Sequence, residues 1–139
     1  VASGKAMETF LTNVKDQGGN PDTLLSQRNK RRSSYTALLT AEHDGFVDID
    51  AYKVGLSGIT LGVGRTKASD TVCADAGIIF HVEQGQEVHR GDTLMEVYAK
   101  DAPSLYTGMR ELAAAVEYKE DRFQCAVQAA GNLITKEIR

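Results

Sequence analysis

The feature that most constrains the fold is a series of short apolar segments between residues 78 and 99, separated by turns that contain glycine. Three strands are predicted there, at residues 78–82, 87–88 and 93–99. The turns between them are residues 83–86 and the tripeptide Arg90-Gly91-Asp92. Strands this short, joined by turns this tight, predict a compact and strongly curved β-structure.

Other strands are predicted on both sides of this region. Residues 36–41 and 45–50 have the composition of strands and are joined by the turn-like sequence His43-Asp44-Gly45. A short strand is also predicted at residues 115–119. A final apolar patch is expected to dock back on the body of the protein and contains Leu133, Ile134 and Ile138.

An amphipathic helix is predicted at residues 3–17. Its apolar side chains recur at helical spacing: Met7, Phe10, Leu11 and Val14. Ser3 is its predicted N-cap, and Gly18-Gly19 is its stop signal. Pro21 stands at the first position of a short second helix, where proline is tolerated. We expect the apolar face of the first helix to lack a covering partner within the chain.

Two further helices are predicted from their caps. Asp50 can cap a helix from Ala51 to about Leu61, and Asp101 with Pro103 opens another. The glycines at positions 55, 58 and 62 weaken the first of these by roughly 1 kcal/mol each relative to alanine. They are explained if this helix must lie close against a sheet.

Charge and composition exclude several classes of protein. The chain has 139 residues and a net charge of −3, which does not suit a protein that binds nucleic acid by neutralising phosphates. No apolar run approaches the ~20 residues that span a bilayer. Cys73 and Cys125 lie far apart, which indicates neither a disulfide framework nor a zinc site and suits the cytoplasm. The start at Val1 is neither an initiator methionine nor a signal peptide, so we expect a processed or shortened chain.

A polar, basic stretch divides the chain. Residues 26–34 include Arg28, Lys30, Arg31 and Arg32 and are predicted to form a solvated linker rather than a nucleic-acid-binding segment. We therefore assign residues 1–34 to a helix and linker, and residues 35–139 to a separate domain.

A phosphate-binding loop is suggested by a series of glycines that ends at an arginine. The glycines are at positions 55, 58, 62 and 64, and Arg65 follows them. The spacing fits neither the dinucleotide fingerprint nor the P-loop. These glycines run through a helix and out of its C-terminus, whose partial negative charge repels phosphate. We therefore predict that they are structural. Arg65 and Lys67 could still neutralise an anion, although two cations in a surface loop are common.

The remaining candidate groups are isolated from one another. His43, His81 and His89 have no carboxylate or cysteine at a spacing typical of a catalytic triad or a metal site. Arg90-Gly91-Asp92 is expected to be a tight turn, and no serine lies in a nucleophile elbow. We predict no catalytic, cofactor-binding or metal-binding residue in this chain, and no cofactor.

The glycine-punctuated hairpins resemble those of lipoyl and biotinyl carrier domains. The shared residues are Val82, Gly85, Val88, Gly91, Asp92 and Leu94. In such carriers the next strand leads to a modifiable lysine, and Lys100 is near that place. Its neighbours differ from the carrier motif, and a helix begins directly after it. The carrier architecture is therefore favoured over the carrier chemistry, and a stand-alone carrier module is kept as the alternative.

A second resemblance covers nearly the whole chain. The segments that carry it, in order, are Ala2-Ser3-Gly4-Lys5-Ala6-Met7-Glu8, Gln17-Gly18-Gly19-Asn20-Pro21, Gly45-Phe46-Val47, Asp50-Ala51, Val54-Gly55, Leu61-Gly62-Val63-Gly64-Arg65, Ser69-Asp70-Thr71-Val72, Gly77-Ile78 and residues 131–138. Together they resemble the C-terminal part of pyrimidine-nucleoside and thymidine phosphorylases. The main departures are the basic residues 28–32 and Cys73, where the family usually has an acidic residue.

The resemblance implies phosphorolysis, in which inorganic phosphate displaces the base of a pyrimidine nucleoside. It implies an α+β fold: one N-terminal helix, then a mostly antiparallel barrel-sandwich domain, lipoyl- or biotinyl-like, with flanking helices. The family's phosphate and nucleoside sites lie upstream of Val1, so the chain alone is expected to be inactive and to brace the α/β lobe. The parent enzyme is expected to be a cytoplasmic homodimer. A nucleoside-monophosphate phosphorylase of the same fold remains an alternative.

Overall fold

The computed structural model describes residues 2–27 and 32–129, with the side chains of Gln27 and of residues 126–129 left aside. The chain divides into two compact units, Val1–Arg31 and Arg32–Arg139, and each is considered by itself. The predicted apolar patch of Leu133, Ile134 and Ile138, and the basic residues Arg28 to Arg31, lie outside the described residues.

The first unit contains two helices, α1 (Lys5–Asp16) and α2 (Pro21–Gln27). The prediction that Ser3 caps α1 was wrong. Gly4 occupies the cap position with a φ of 78°, and the cap makes no side-chain hydrogen bond. The predicted stop is confirmed, because α1 ends at Asp16 with Gln17 as its C-cap, and Gly18 follows with a φ of 81°. Asn20 caps α2, since its Oδ1 accepts hydrogen bonds from the backbone of Asp22 and Thr23.

The apolar face of α1 is uncovered, as expected. No residue of this helix is buried. The side chains of Met7 and Phe10 are 47% and 51% exposed, while Leu11 and Val14 are half-buried. The apolar side chains of α1 are therefore half-buried to exposed.

Residues 32–129, the described part of the second unit, form six strands and three helices. In chain order these are β1 (Tyr35–Thr40), β2 (Gly45–Ile49), α3 (Ala51–Leu61), β3 (Gly77–Phe80), β4 (Glu87–Val88), β5 (Thr93–Ala99), α4 (Ala102–Ala113), β6 (Val116–Lys119) and α5 (Arg122–Ala129). The α+β class and the antiparallel pairing are confirmed. α5 was not predicted. None of the helices among the described residues is long and apolar enough to cross a membrane.

The six strands form two antiparallel sheets of three. One has the order β1-β5-β3 and the other β4-β2-β6. The successive strands β1 and β2 therefore belong to different sheets and do not pair with each other. Each instead pairs with a strand far along the chain: Tyr35 with Ala99, and Phe46 with Lys119. The turn at residues 43–45 moves the chain from one sheet to the other.

The core lies where the sheets meet α3 and α4. Its fully buried aliphatic side chains include Leu61 at the end of α3, Leu94 and Val97 on β5, and Leu112 on α4. Burying a side chain of this size contributes about 1.5–3 kcal/mol. Asp50 and Asp101 begin the two helices as predicted, because each carboxylate accepts backbone N–H bonds from the first turn.

The glycines of α3 do not serve the purpose that was predicted for them. A β-carbon at Gly55 would meet nothing within 4 Å, and one at Gly58 would meet only Val63, at 3.9 Å. These two positions therefore leave open space rather than permit close packing on a sheet. The close approach occurs on α4, where a β-carbon at Gly108 would lie 2.5 Å from Cδ2 of Leu61.

Candidate functional site

The glycine–arginine loop leaves α3 at Gly62, whose φ of 105° ends the helix in the left-handed conformation. Its base is closed where the backbone N–H of Cys73 donates to the carbonyl of Gly62, at 2.9 Å. Inside the loop, the Asp70 carboxylate accepts hydrogen bonds from the backbone of Thr66 and Lys67, at 3.1 and 2.9 Å. The Lys67 amide, more than any other group, lowers the pKa of Asp70.

Lys100, the residue singled out by the carrier resemblance, packs on this loop. Its backbone N–H donates to the carbonyl of Leu61 at 2.9 Å. Its stem covers Gly62 so closely that a β-carbon there would lie 3.0 Å from Cβ of Lys100. Its charge also contributes to lowering the pKa of Asp70. Lys100 follows β5 and leads into α4, so it does not stand at the tip of a hairpin.

Together these residues form a cleft of about 400 Å³, here called the Gly62–Lys100 cleft. It is lined by Ile59, Gly62, Gly64, Thr66, Asp70, Thr71, Lys100 and Asp101. The structure thus brings together the glycine–arginine loop and Lys100, which were predicted as separate features.

The Gly62–Lys100 cleft is internally neutralised. The loop amides that a phosphate would need are already bound to Asp70. Asp101, the second carboxylate, accepts from the backbone N–H of Ser104 at 2.8 Å and caps α4, and this bond is the main reason that its pKa is lowered. The Arg65 guanidinium points back to the carbonyl of Ala68, at 3.5 Å. Asp70 therefore occupies the position that an anion would take in a phosphate-binding loop.

The three histidines lie apart and on the surface. His43 packs edge-on against Tyr118, with 5.6 Å between ring centroids. His81 Nε2 is 3.8 Å from the Glu96 carboxylate, and His89 Nδ1 is 3.9 Å from that of Asp92. Within the residues that the structure describes, no three His, Cys, Asp or Glu side chains are grouped so as to hold a metal ion.

The Arg90-Gly91-Asp92 tripeptide is a tight turn, as predicted. Gly91 has a φ of 96°, and Asp92 closes the turn through hydrogen bonds with His89. The Arg90 backbone N–H donates to Asp44, which ties this turn to the one between β1 and β2 at 2.7 Å. The two cysteines are free thiols: Cys73 is half-buried and Cys125 is fully buried.

Two polar clusters were missed in the sequence analysis. In the first, the buried Asp48 accepts a hydrogen bond from Gln84 and lies 3.9 Å from the ammonium of Lys119. Gln84 also accepts from the backbone of Ile49, at 2.8 Å. These contacts fasten the turn before β4 to the middle of its sheet. The partners are dozens of residues apart, so no local pattern in the sequence signals them.

The second cluster lies at Tyr98 on β5. The Arg32 guanidinium donates to the Tyr98 hydroxyl at 2.7 Å and lies 5.2 Å from the centroid of its ring. Tyr98 in turn donates to Glu96, which also pairs with Arg32 at 3.5 Å. Arg32, one of the basic residues assigned to the linker, is thus a structural contact of the sheet.

Comparison with known proteins agrees with this arrangement. The family described as "Pyrimidine nucleoside phosphorylase C-terminal domain" matches residues 46–119, which is just over half of the chain. This range runs from β2 to β6 and includes α3, the Gly62–Lys100 cleft and α4.

Three relatives illustrate the match. A thymidine phosphorylase of Metamycoplasma hominis is 29% identical over 121 residues, covering 85% of this chain and 43% of the relative. A pyrimidine-nucleoside phosphorylase of Geobacillus stearothermophilus is 30% identical over 97 residues, covering 69% and 22%. One of Staphylococcus epidermidis is 26% identical over 99 residues, covering 70% and 23%.

The chain thus spans less than half the length of each of these relatives, and the part that it matches is their C-terminal part. The ordered motifs, the fold and the family match point the same way. This chain belongs to the pyrimidine nucleoside phosphorylase family and contains that family's C-terminal domain.

Proposed function

We propose that this chain is the bracing C-terminal domain of an enzyme that splits pyrimidine nucleosides with inorganic phosphate. The products of that reaction are the free base and ribose or deoxyribose 1-phosphate. The observation that carries the proposal is the engagement of Asp70 with the loop amides of Thr66 and Lys67. In this glycine–arginine loop, the backbone N–H groups that could bind an anion already donate to the loop's own carboxylate.

Such a reaction depends on the placement of phosphate against the sugar and on the neutralisation of developing charge. In this proposal, both tasks belong to parts of the enzyme outside this chain, where the phosphate and the nucleoside bind. No residue of this chain is assigned a catalytic, cofactor-binding or metal-binding role. The parent enzyme is a cytoplasmic homodimer in the same proposal.

The proposal also covers the domain organisation. Residues 1–34 belong to the large α/β domain of the parent enzyme, and residues 35–139 form the C-terminal domain with a barrel-sandwich architecture. Two antiparallel sheets of three short strands support this description. Gly85 and Gly91 support it as well. They lie in turns between short strands, with φ values of 74° and 96°, and carrier domains have glycines at the corresponding turns.

The first experiment tests where the chemistry lies. The purified 139-residue chain is incubated with thymidine in phosphate buffer, and thymine is quantified by chromatography. A pyrimidine-nucleoside phosphorylase of Bacillus subtilis, a relative that is 30% identical over 98 residues, is the positive control. We expect no thymine above the buffer blank. Sustained release by the chain, at a rate that scales with its concentration, would refute the proposal.

A second experiment tests the bracing role. Residues 35–139 replace the corresponding domain of the Bacillus subtilis relative, and the chimera is compared with a version carrying Gly108→Leu. Because Gly108 touches the buried Leu61, the substitution should lower the temperature of thermal inactivation and leave the KM for thymidine unchanged. Gly55→Ala, placed in open space, is the matched control. A changed KM at unchanged thermal stability would contradict the bracing role.

A further inference from the structure

A second cleft, distinct from the Gly62–Lys100 cleft, lies between α3 and α4. It has a volume of about 320 Å³, at the lower end of the range for small-molecule sites. We call it the α3–α4 groove. Its lining residues are Lys53, Leu56, Ser57, Thr60, Glu111 and Ala114.

Glu111 is the feature of this groove that the fold does not explain. Its Oε2 exposes less than 1 Å² and has no hydrogen-bonding partner among the described residues. Its other oxygen, Oε1, makes no hydrogen bond or ion pair within the same part of the chain either. A carboxylate with one sealed and unpaired oxygen is poorly solvated, so it gains from a cationic partner. Oε1 is therefore the carboxylate oxygen that can accept a hydrogen bond from a ligand.

The donors near Glu111 are committed elsewhere. The ammonium of Lys53 lies 3.3 Å from the Asp50 carboxylate, one turn earlier on α3. The hydroxyl of the buried Ser57 donates to the carbonyl of Lys53, at 2.9 Å. Among the described residues, neither group pairs with Glu111. Glu111 lines the groove together with the apolar Leu56 and Ala114.

These features define the ligand by its chemistry. The single accessible oxygen favours one compact cationic donor, an ammonium, over a guanidinium, which needs both oxygens for its paired hydrogen bonds. The exposed side chains of Leu56 and Ala114 provide apolar surface for a short carbon arm. The charge of Lys53 at the rim disfavours a second positive charge. We propose that the α3–α4 groove binds a small primary monoamine, whose ammonium pairs with Glu111 and whose alkyl arm lies along α3.

The test uses the full 139-residue chain labelled with ¹⁵N and titrated with n-butylammonium, followed by amide chemical shifts. We expect saturable shifts at Leu56, Glu111 and Ala114, with a dissociation constant on the order of a millimolar. 1-Butanol has nearly the same shape without the charge, and it should bind at least about tenfold more weakly. Equal affinity for the two probes would overturn the proposal, and so would shifts that do not saturate.

Variants then assign the contact. Glu111→Gln should weaken n-butylammonium binding about tenfold or more, whereas Glu87→Gln, in an exposed residue of β4, should leave it unchanged. Undiminished binding to Glu111→Gln would overturn the assignment to this carboxylate. If Glu111→Gln fails to fold, the comparison of the amine with the alcohol decides the matter in the wild-type chain.

A further titration distinguishes binding of a free amine from binding of a lysine side chain of another protein. Nα-acetyl-lysine-N-methylamide presents the same ammonium on a four-carbon arm but carries a peptide backbone at its far end. We expect it to bind more weakly than n-butylammonium, because its backbone amides would lose water beside the apolar residues of the groove. Equal or tighter binding would overturn the small-amine assignment in favour of a protein lysine.

Discussion

Gly108 on α4 lies directly against the side chain of Leu61 at the end of α3. A β-carbon at position 108 would be 2.5 Å from Cδ2 and 2.9 Å from Cγ of Leu61, both closer than real β-carbons approach other atoms. Leu61 is fully buried. A side chain at position 108 would therefore require Leu61 or one of the two helices to shift.

Gly108→Ala should destabilise the domain even though alanine is the better helix former. Overpacking lowers the free energy of unfolding by about 1–3 kcal/mol, whereas the higher helix propensity of alanine raises it by about 1 kcal/mol. We expect a net loss of about 1 kcal/mol in the free energy of unfolding, measured by urea denaturation. Gly55→Ala is the control: its β-carbon enters open space, so it should stabilise by about 0.5–1 kcal/mol. A gain of equal size at both positions would show that the contact with Leu61 is unimportant.

The stability of the domain should fall in acid because of its helix caps. The pKa of Asp101 is lowered in the fold, chiefly by the backbone N–H of Ser104. A carboxylate with a lowered folded pKa stabilises the protein above its unfolded pKa and loses that contribution as pH falls through the folded value. The urea midpoint should therefore decrease from about pH 4 downward.

Asp101→Asn separates this titration from the capping contact. Asparagine can still accept the N–H of Ser104, but it does not ionise in this range. The variant should therefore show a shallower fall in urea midpoint than the wild-type chain over the same pH range. Identical acid profiles for the two proteins would rule out Asp101 as a contributor.

The two thiols should differ sharply in reactivity. Burial raises the pKa of the Cys125 thiol and also shields its sulfur, whereas Cys73 is half-buried. The thiolate is the reactive form, so a raised pKa slows the reaction further. Ellman's reagent should titrate one thiol quickly in the native chain and the second only in urea. Cys73→Ser should abolish the fast phase, and a fast phase of two thiols would contradict the burial of Cys125.

Lys100 should not be a site of biotin or lipoate attachment. Its stem packs on Gly62, and it lies between β5 and α4 instead of at an exposed hairpin tip. Co-expression of the chain with a biotin ligase or a lipoate ligase, followed by intact-mass measurement, should therefore give the unmodified mass. A known carrier domain expressed alongside is the positive control. Modification at Lys100 would revive the carrier-module alternative.

Local rules predicted most of the elements in this chain. Asp50 and Asp101 mark the starts of α3 and α4 because an N-cap acts within three residues of itself. The limits of β5 were also predicted, since its apolar run is bounded by turns. α5 was missed because its first turn is largely exposed, with Phe123 at 75%, and its apolar pattern is weak. Ser3 was assigned as a cap because the start of α1 was placed two residues too early.

Such local rules do not predict which strands pair or which distant side chains come together. Alternation of apolar residues shows that a segment is a strand but not which strand it meets, so the separation of β1 and β2 into two sheets was not foreseen. For the same reason, the glycines of α3 were assigned to close packing that in fact occurs at Gly108. The Gly62–Lys100 cleft was not predicted either, because its two sides meet through contacts between residues far apart in the sequence, such as the hydrogen bond from the backbone of Lys100 to the carbonyl of Leu61.

The division of the strands between two sheets also constrains how this domain is made. β1 must wait for β5 before it can pair, and β2 must wait for β4 and β6. The sheet β1-β5-β3 needs the chain as far as Ala99, and the sheet β4-β2-β6 needs it as far as Lys119. The first half of the domain therefore has no complete native sheet to form during its own synthesis. Long-range pairing of this kind slows folding, typically to milliseconds or seconds. Until then, strands such as β1 have no native partner and remain open to other contacts.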